Sequence, residues 1–141
     1  ALLPLLVSRQ SKPYRLSIVG NHIDVPWLEG WSHVSVKNNL GFIDYHAECA
    51  RASAILTLVS PELQPDYYAS KLTSSITYAR AYNLHAIIDS KLQSIYELEN
   101  AHVYEPGNTK SFMSAFGRAL DQLHLRYSKE ARDQQAESLG S

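Results

Sequence analysis

Between two apolar runs lies the hexapeptide Ser70-Lys71-Leu72-Thr73-Ser74-Ser75, one lysine among small hydroxyls, placed where a helix is expected to start. A helix start offers free backbone N–H groups and the positive end of the helix dipole. Both favour anions, and hydroxyls with an ammonium would add donors and charge. An ordinary polar first turn has the same composition, and the residues alone slightly favour that plainer reading. Three other short stretches follow apolar runs and could reach a ligand: Gly20-Asn21, Ser60-Pro61-Glu62 and Asp89-Ser90. Gly20 permits close approach of backbone to a ligand. Asp89 is expected to cap the helix that follows it.

Other chemistries find no support in the residues. The six histidines, at 22, 33, 46, 85, 102 and 124, form no HExxH and no close set with the single Cys49, which argues against zinc. There is no GxSxG elbow, no GxGxxG and no Walker loop. Asp24, Asp44, Asp66 and Asp89 form no readable dyad. A phosphoacceptor receiver would need paired acids after its first strand and an Asp ending its third. Here those places hold Gly20-Asn21 and Ser60-Pro61. Met113 and its aromatic neighbours read as core, not as a cofactor box. Trp27 and Trp31 could stack on a base or sugar, but covering one end of the core is the commoner use. No catalytic residue, metal or cofactor is assigned.

The elements that must hold these residues are legible from periodicity. A run from Ala54 to Val59, an amphipathic segment and a second run from Leu84 to Ile88 make a βαβ unit with parallel strands. Before it come a short helix over residues 1–9, a strand from Tyr14 to Val19, a short strand from His33 to Val36 and a helix from Phe42 to Ser53. After it come a helix from Lys91 to Glu99, a strand from Ala101 to Tyr104 and a final helix carrying Phe112, Met113, Phe116, Leu120, Leu123 and Tyr127. Asn108 or Thr109 can cap that last helix.

Five short strands alternating with helices predict an α/β, doubly wound, Rossmann-like domain. Its five-stranded parallel sheet has expected order 3-2-1-4-5 and helices on both faces. Leu16, Ile18, Val34, Leu56, Leu58, Ile87, Ile88 and Val103 are its expected core. The domain is expected to span residues 1–127, with 128–141 a polar tail, either frayed helix or disordered. Ligands of such sheets bind at the carboxyl ends of the strands.

With 141 residues, 45% hydrophobic and 19% charged, the chain fits one globular domain. A net charge of -1 gives no general attraction to nucleic acid or anionic membrane. No apolar run approaches a membrane span. The opening ALLPLLV lacks a basic flank and a clear cleavage site, and a cytoplasmic location is favoured over a secreted one. An abrupt apolar start is also what an excised piece of a longer protein would show.

The order of these pieces resembles the C-terminal, nucleotide-sugar-binding half of a GT-B-fold glycosyltransferase. The resemblance rests on KPYRLSIVG, on HVSVKNNLGFIDYHAECARASAILTLVSP, on SKLTSSITYARAYNLHAIID and on SFMSAFGRAL. SPELQPDYYASKLTSSI is also similar to a stretch of fungal glycosyltransferase-like proteins. The family's two glutamates separated by seven residues are absent, with Ser75 or Tyr78 where the second would fall. Asn83 and His85 replace its usual glycine and proline. The resemblance implies that a nucleotide diphosphate sugar, as substrate, binds through the helix start at 70–75. It implies Gly20, Lys71, Ser74 and Ser75 at the site, and the strand-end positions Asn21, Ser60 and Glu62 complete the expected set. It also implies a second α/β domain carrying the acceptor site, so the isolated half is expected to be inactive. The alternative is a non-catalytic α/β interaction module that keeps the fold without the activity.

Overall fold

The computed structural model describes residues 13–140, so the helix expected over residues 1–9 lies outside the described residues. Five strands form at the expected places, and every pairing is parallel. Strand β1 (Leu16–Gly20) pairs with β2 (Val34–Asn38), Leu16 opposite Val34 and Gly20 opposite Asn38. Strands β3 (Ala54–Leu56), β4 (His85–Asp89) and β5 (Ala101–Tyr104) form a second sheet with β4 in the middle. The helices are α1 (Phe42–Arg51), α2 (Ser74–Ala81), α3 (Ser90–Tyr96) and α4 (Thr109–Leu139). Short 3-10 turns lie at Pro26–Gly30 and Pro65–Tyr68.

The α/β class with parallel strands is as expected. The single five-stranded sheet in order 3-2-1-4-5 is not, because the strands divide into sheets of two and three and β3 lies beside β4. The βαβ crossover through α2 returns the chain directly beside the strand it left. Strand β3 is also cut short at Leu56. The Thr57 amide and hydroxyl both bond to the Ile87 carbonyl, at 3.2 and 3.1 Å, and the Thr57 carbonyl accepts from the Tyr104 hydroxyl at 3.2 Å. With those groups satisfied inside the three-stranded sheet, the extended run expected to reach Val59 ends early. Leu58, expected in the core, is instead 45% exposed.

Strand β4 is buried at all five positions, and its alternation builds two cores. Ile87 faces α4 and packs with Tyr104, Phe112, Ala115, Phe116, Ala119 and Leu120. Ala86 and Ile88 face the other way, onto Ile76 and Ala79 of α2, Leu92 of α3, and Leu98. The three-stranded sheet is thus covered on both faces. The Tyr14 ring joins the two-stranded unit to this body, packing edge-on against Phe116 at 5.0 Å between centroids, while its hydroxyl lies 3.3 Å from His33 Nε2. Of the other expected core residues, Leu16, Ile18, Val34, Leu56 and Val103 are half-buried.

Asn108 caps α4, its side-chain oxygen accepting from the Ser111 amide at 3.0 Å. The helix continues to Leu139, with every residue from Leu125 onward exposed. Leu28, in the first 3-10 turn, is buried, whereas Trp27 beside it is 48% exposed and Trp31 is half-buried against His33. No helix among the described residues is long and apolar enough to cross a membrane.

Beneath α4 lies a buried pair of histidines on adjacent strands. His85 Nδ1 and His102 Nε2 are 3.0 Å apart, with ring planes within 14°. One ring must donate and the other accept, so the pair suits the neutral state. Burial holds both rings below the usual histidine range, with Arg126 adding to the effect on His85. The His85 and Arg118 charges add to it on His102. A depressed folded value means that the unfolded chain takes up protons first. The pair's contribution to stability is therefore complete above the ordinary value of 6.5 and is lost as pH falls below it. The urea midpoint should fall between pH 7 and 5, by at most ~1.4 kcal/mol per pH unit for each ring. His102→Gln, which keeps a hydrogen-bonding group without a titrating one, should flatten that slope. A midpoint constant across this range would show that the pair carries no such linkage.

Candidate functional site

A cleft of about 620 Å³ opens between the carboxyl end of β1, the face of α1 and the start of α2. Val19, Gly20, Asn21, Leu40, Tyr45, Tyr67, Ser74 and Tyr78 line it, none of them charged.

Local sequence explains each wall. After β1 the chain turns sharply, with His22 at φ 55°. The Asn38 carboxamide holds that turn, accepting from the Ile23 amide at 2.6 Å and donating to the Ile23 carbonyl at 3.0 Å. A Cβ at Gly20 would lie 3.0 Å from Cδ1 and 3.2 Å from Cγ1 of Ile23, so that side chain would have to shift by a few tenths of an ångström. The opposite wall comes from helical spacing. Tyr45 of α1 meets Tyr78 of α2 at 5.0 Å between centroids, edge to face. Burial pushes the Tyr45 hydroxyl above the usual tyrosine range, and a hydrogen bond to the Ser74 hydroxyl partly offsets this.

The third wall is the loop from Ser60 to Thr73. The Asp66 carbonyl accepts from the amides of Ala69, Ser70 and Lys71 at 3.2, 2.9 and 2.8 Å. This tight turn brings Lys71 back over the Tyr67 ring, with Nζ 4.9 Å from its centroid. The Tyr68 hydroxyl fixes the loop to the sheet, donating to Asp89 Oδ2 at 2.7 Å with the Val59 carbonyl at 3.2 Å. Burial, then the hydrogen bond to Asp89, raises the Tyr68 hydroxyl well above its ordinary range. Asp89 Oδ1 caps α3 as expected, accepting from the amides of Lys91 and Leu92 at 2.9 and 3.0 Å.

The helix itself begins at Ser74, within the 70–75 stretch where a helix start is expected, and Thr73 before it is extended. The turn closed on the Asp66 carbonyl ends at Lys71, three residues before the helix. Thr73 stands at the N-cap position, yet its hydroxyl makes no cap bond. It is 95% buried in effect, with 5% of its surface exposed, and Oγ1 has no hydrogen-bond partner. No acidic side chain stands in the first turn of α2. The first amides of this helix are therefore left without a side-chain acceptor.

Of the seven residues expected at the site, Gly20, Asn21 and Ser74 line one cleft. Lys71 stands beside it on Tyr67, and Ser75 is half-buried one position further along α2. Ser60 and Glu62 do not line it. They pair with each other in the turn after β3, Ser60 Oγ donating to Glu62 Oε2 at 2.7 Å, and this bond holds the Glu62 carboxyl below its usual range. Sequence reasoning missed the tyrosine walls. Tyr45 reads as one more apolar position on a helix stripe, and Tyr78 draws notice only as the residue replacing a glutamate. Tyr67-Tyr68, two aromatics in a strand-to-helix loop, is the one signal that marks such a wall.

Among the described residues no three His, Cys, Asp or Glu side chains are grouped to hold a metal ion. No family model matches the chain, and no curated protein or solved structure matches it either.

Proposed function

We propose that this chain is the donor-binding domain of a GT-B-type glycosyltransferase, taking a nucleotide diphosphate sugar with its diphosphate at the start of α2. One observation carries the reading: an uncapped helix start, with a buried and unpaired Thr73 hydroxyl, beside the cleft that Gly20 and Ser74 line. Unfilled N–H groups and the dipole end favour an anion there. Lys71 is the nearby cation. Its contact with the Tyr67 ring is exposed and worth only ~0.5–1 kcal/mol, so a phosphate can draw it away. In this reading a second α/β domain supplies the acceptor site and closes the cleft, and the domain alone transfers no sugar.

Two substitutions test it by isothermal titration with UDP, GDP and ADP. Lys71→Ala should weaken the best of these by roughly ten- to a hundredfold, since a charge-assisted contact is worth about 1.5–3 kcal/mol. Stability should stay within about 0.5 kcal/mol, because Lys71 is exposed. Thr73→Val removes a hydroxyl that has no partner, so the free protein should be as stable or slightly more stable while nucleotide affinity falls. Affinity unchanged from the parent in both variants, with the fold intact, would remove the diphosphate from this helix start. Absence of nucleotide binding by the parent would favour the non-catalytic interaction module.

A further inference from the structure

We infer that the tyrosine walls of the cleft hold a nucleobase, and that the rings of Tyr67 and Tyr78 set the affinity for it. The inference rests on the nucleotide reading above and adds which end of the ligand the cleft takes, and how.

The aromatic part of the lining suits one part of a nucleotide sugar in particular. Three of its eight residues are tyrosines, Tyr45, Tyr67 and Tyr78, set beside Val19 and Leu40. Asn21 is the sole carboxamide, and no carboxylate, ammonium or guanidinium lines the space. The diphosphate needs N–H donors and positive charge, which lie at the edge, at the α2 start and Lys71. A planar heterocycle is the piece that suits phenol faces, because each base has a π-face and stacking needs few directed bonds. The cleft, at about 620 Å³, is within the range of small-molecule sites.

The three tyrosines are not equivalent. The Tyr45 ring leans edge-on against Tyr78. The Tyr67 and Tyr78 hydroxyls have no protein partner among the described residues, and both side chains are half-buried. Tyr78 is also braced from behind, by the His46 ring at 5.2 Å and the nearly parallel Tyr82 ring at 6.4 Å. His46 in turn is fixed by a 2.7 Å hydrogen bond between its Nδ1 and the Tyr82 hydroxyl. A ring held in this way is pre-set for stacking and loses little freedom when a base arrives. Tyr67 is carried by the 3-10 turn and touched by Lys71. One residue pair thereby links the base wall to the phosphate cation, so base and diphosphate should bind with some cooperativity.

The test titrates the full chain with the tightest of UDP, GDP and ADP, with its nucleoside, and with inorganic pyrophosphate. Tyr78→Leu should weaken both nucleoside and nucleoside diphosphate about tenfold or more while pyrophosphate binding stays unchanged, and Tyr67→Ala should weaken both as much, with a smaller loss for pyrophosphate because Lys71 rests on that ring. Tyr67→Phe and Tyr78→Phe keep the rings and should stay within about threefold of the parent, which also controls for folding. Nucleoside binding without any gain from the diphosphate would sink the phosphate reading and leave the tyrosine wall standing. Pyrophosphate binding as tightly as the nucleoside diphosphate would overturn the wall. So would ring-deleting variants that fold and bind the nucleoside as the parent does, or a parent that binds none of the nucleosides.

Discussion

Replacing Asp89 by alanine is expected to lower the stability of the fold by about 3 kcal/mol, the combined worth of a helix cap and a charge-assisted hydrogen bond. The carboxylate is 1% exposed and accepts three donors: the Lys91 and Leu92 amides and the Tyr68 hydroxyl. It therefore joins the start of α3 to the loop that carries Tyr67 and Lys71. The Val59 carbonyl can still take the Tyr68 hydroxyl, which keeps the loss from growing further. Asp89→Asn retains an acceptor for the cap and should cost only about 1 kcal/mol. Urea denaturation measures both, and amide exchange across residues 66–75 should quicken in the alanine variant. A loss under 0.5 kcal/mol for Asp89→Ala would show that this carboxylate does not hold the loop.

The second large effect lies in the sheet. Ile88 is fully buried between α2 and α3, in contact with a cluster of Ile76, Ala79, Ala86, Leu92 and Leu98. Ile88→Ala should cost about 3–4 kcal/mol, within the usual range for removing a buried branched side chain and leaving a cavity. Leu58→Ala should cost well under ~1 kcal/mol, although both residues come from apolar runs that read alike. Similar costs at the two positions would mean that the run after Leu56 is packed, against the early end of β3.

That contrast marks where the sequence could be read and where it could not. The strands at Leu16–Gly20, Val34–Asn38, His85–Asp89 and Ala101–Tyr104 follow from local alternation and β-branching, and Asp89 follows from its place before a helix. These are properties of a few neighbouring residues. Strand order is not local, since it depends on which edges meet after the chain has folded back. Nothing in Ala54–Val59 announces that the Thr57 backbone and hydroxyl will be used up by Ile87 and Tyr104, forty-seven residues away in the latter case. The helix starts at Ser74, within the stretch 70–75 where it is expected, although its exact place there is not set locally either. The Asp66 carbonyl captures the amides of Ser70 and Lys71, and this turn competes with the helix over the same hydroxyl-rich segment. Of the site, the strand-end glycine and the serines were visible as types in plausible places. The tyrosine walls required Tyr45, Tyr67 and Tyr78, from three separate elements, to meet in space.

The central claim is that the cleft beside Gly20 and the α2 start receives a nucleotide diphosphate. The most direct measurement is a titration of ¹⁵N-labelled protein with UDP, GDP and ADP, followed by amide shifts. The expected result is saturable change with at least one of them, concentrated at Gly20, Asn21, Tyr67, Lys71, Ser74, Ser75 and Tyr78. A second, smaller cavity of about 260 Å³ lies at the far end of α2, lined by Arg80, Asn83, Glu97 and Asn100 among others, and provides the internal comparison. Shifts clustered there, or no shifts with any of the three at millimolar nucleotide, would contradict the account.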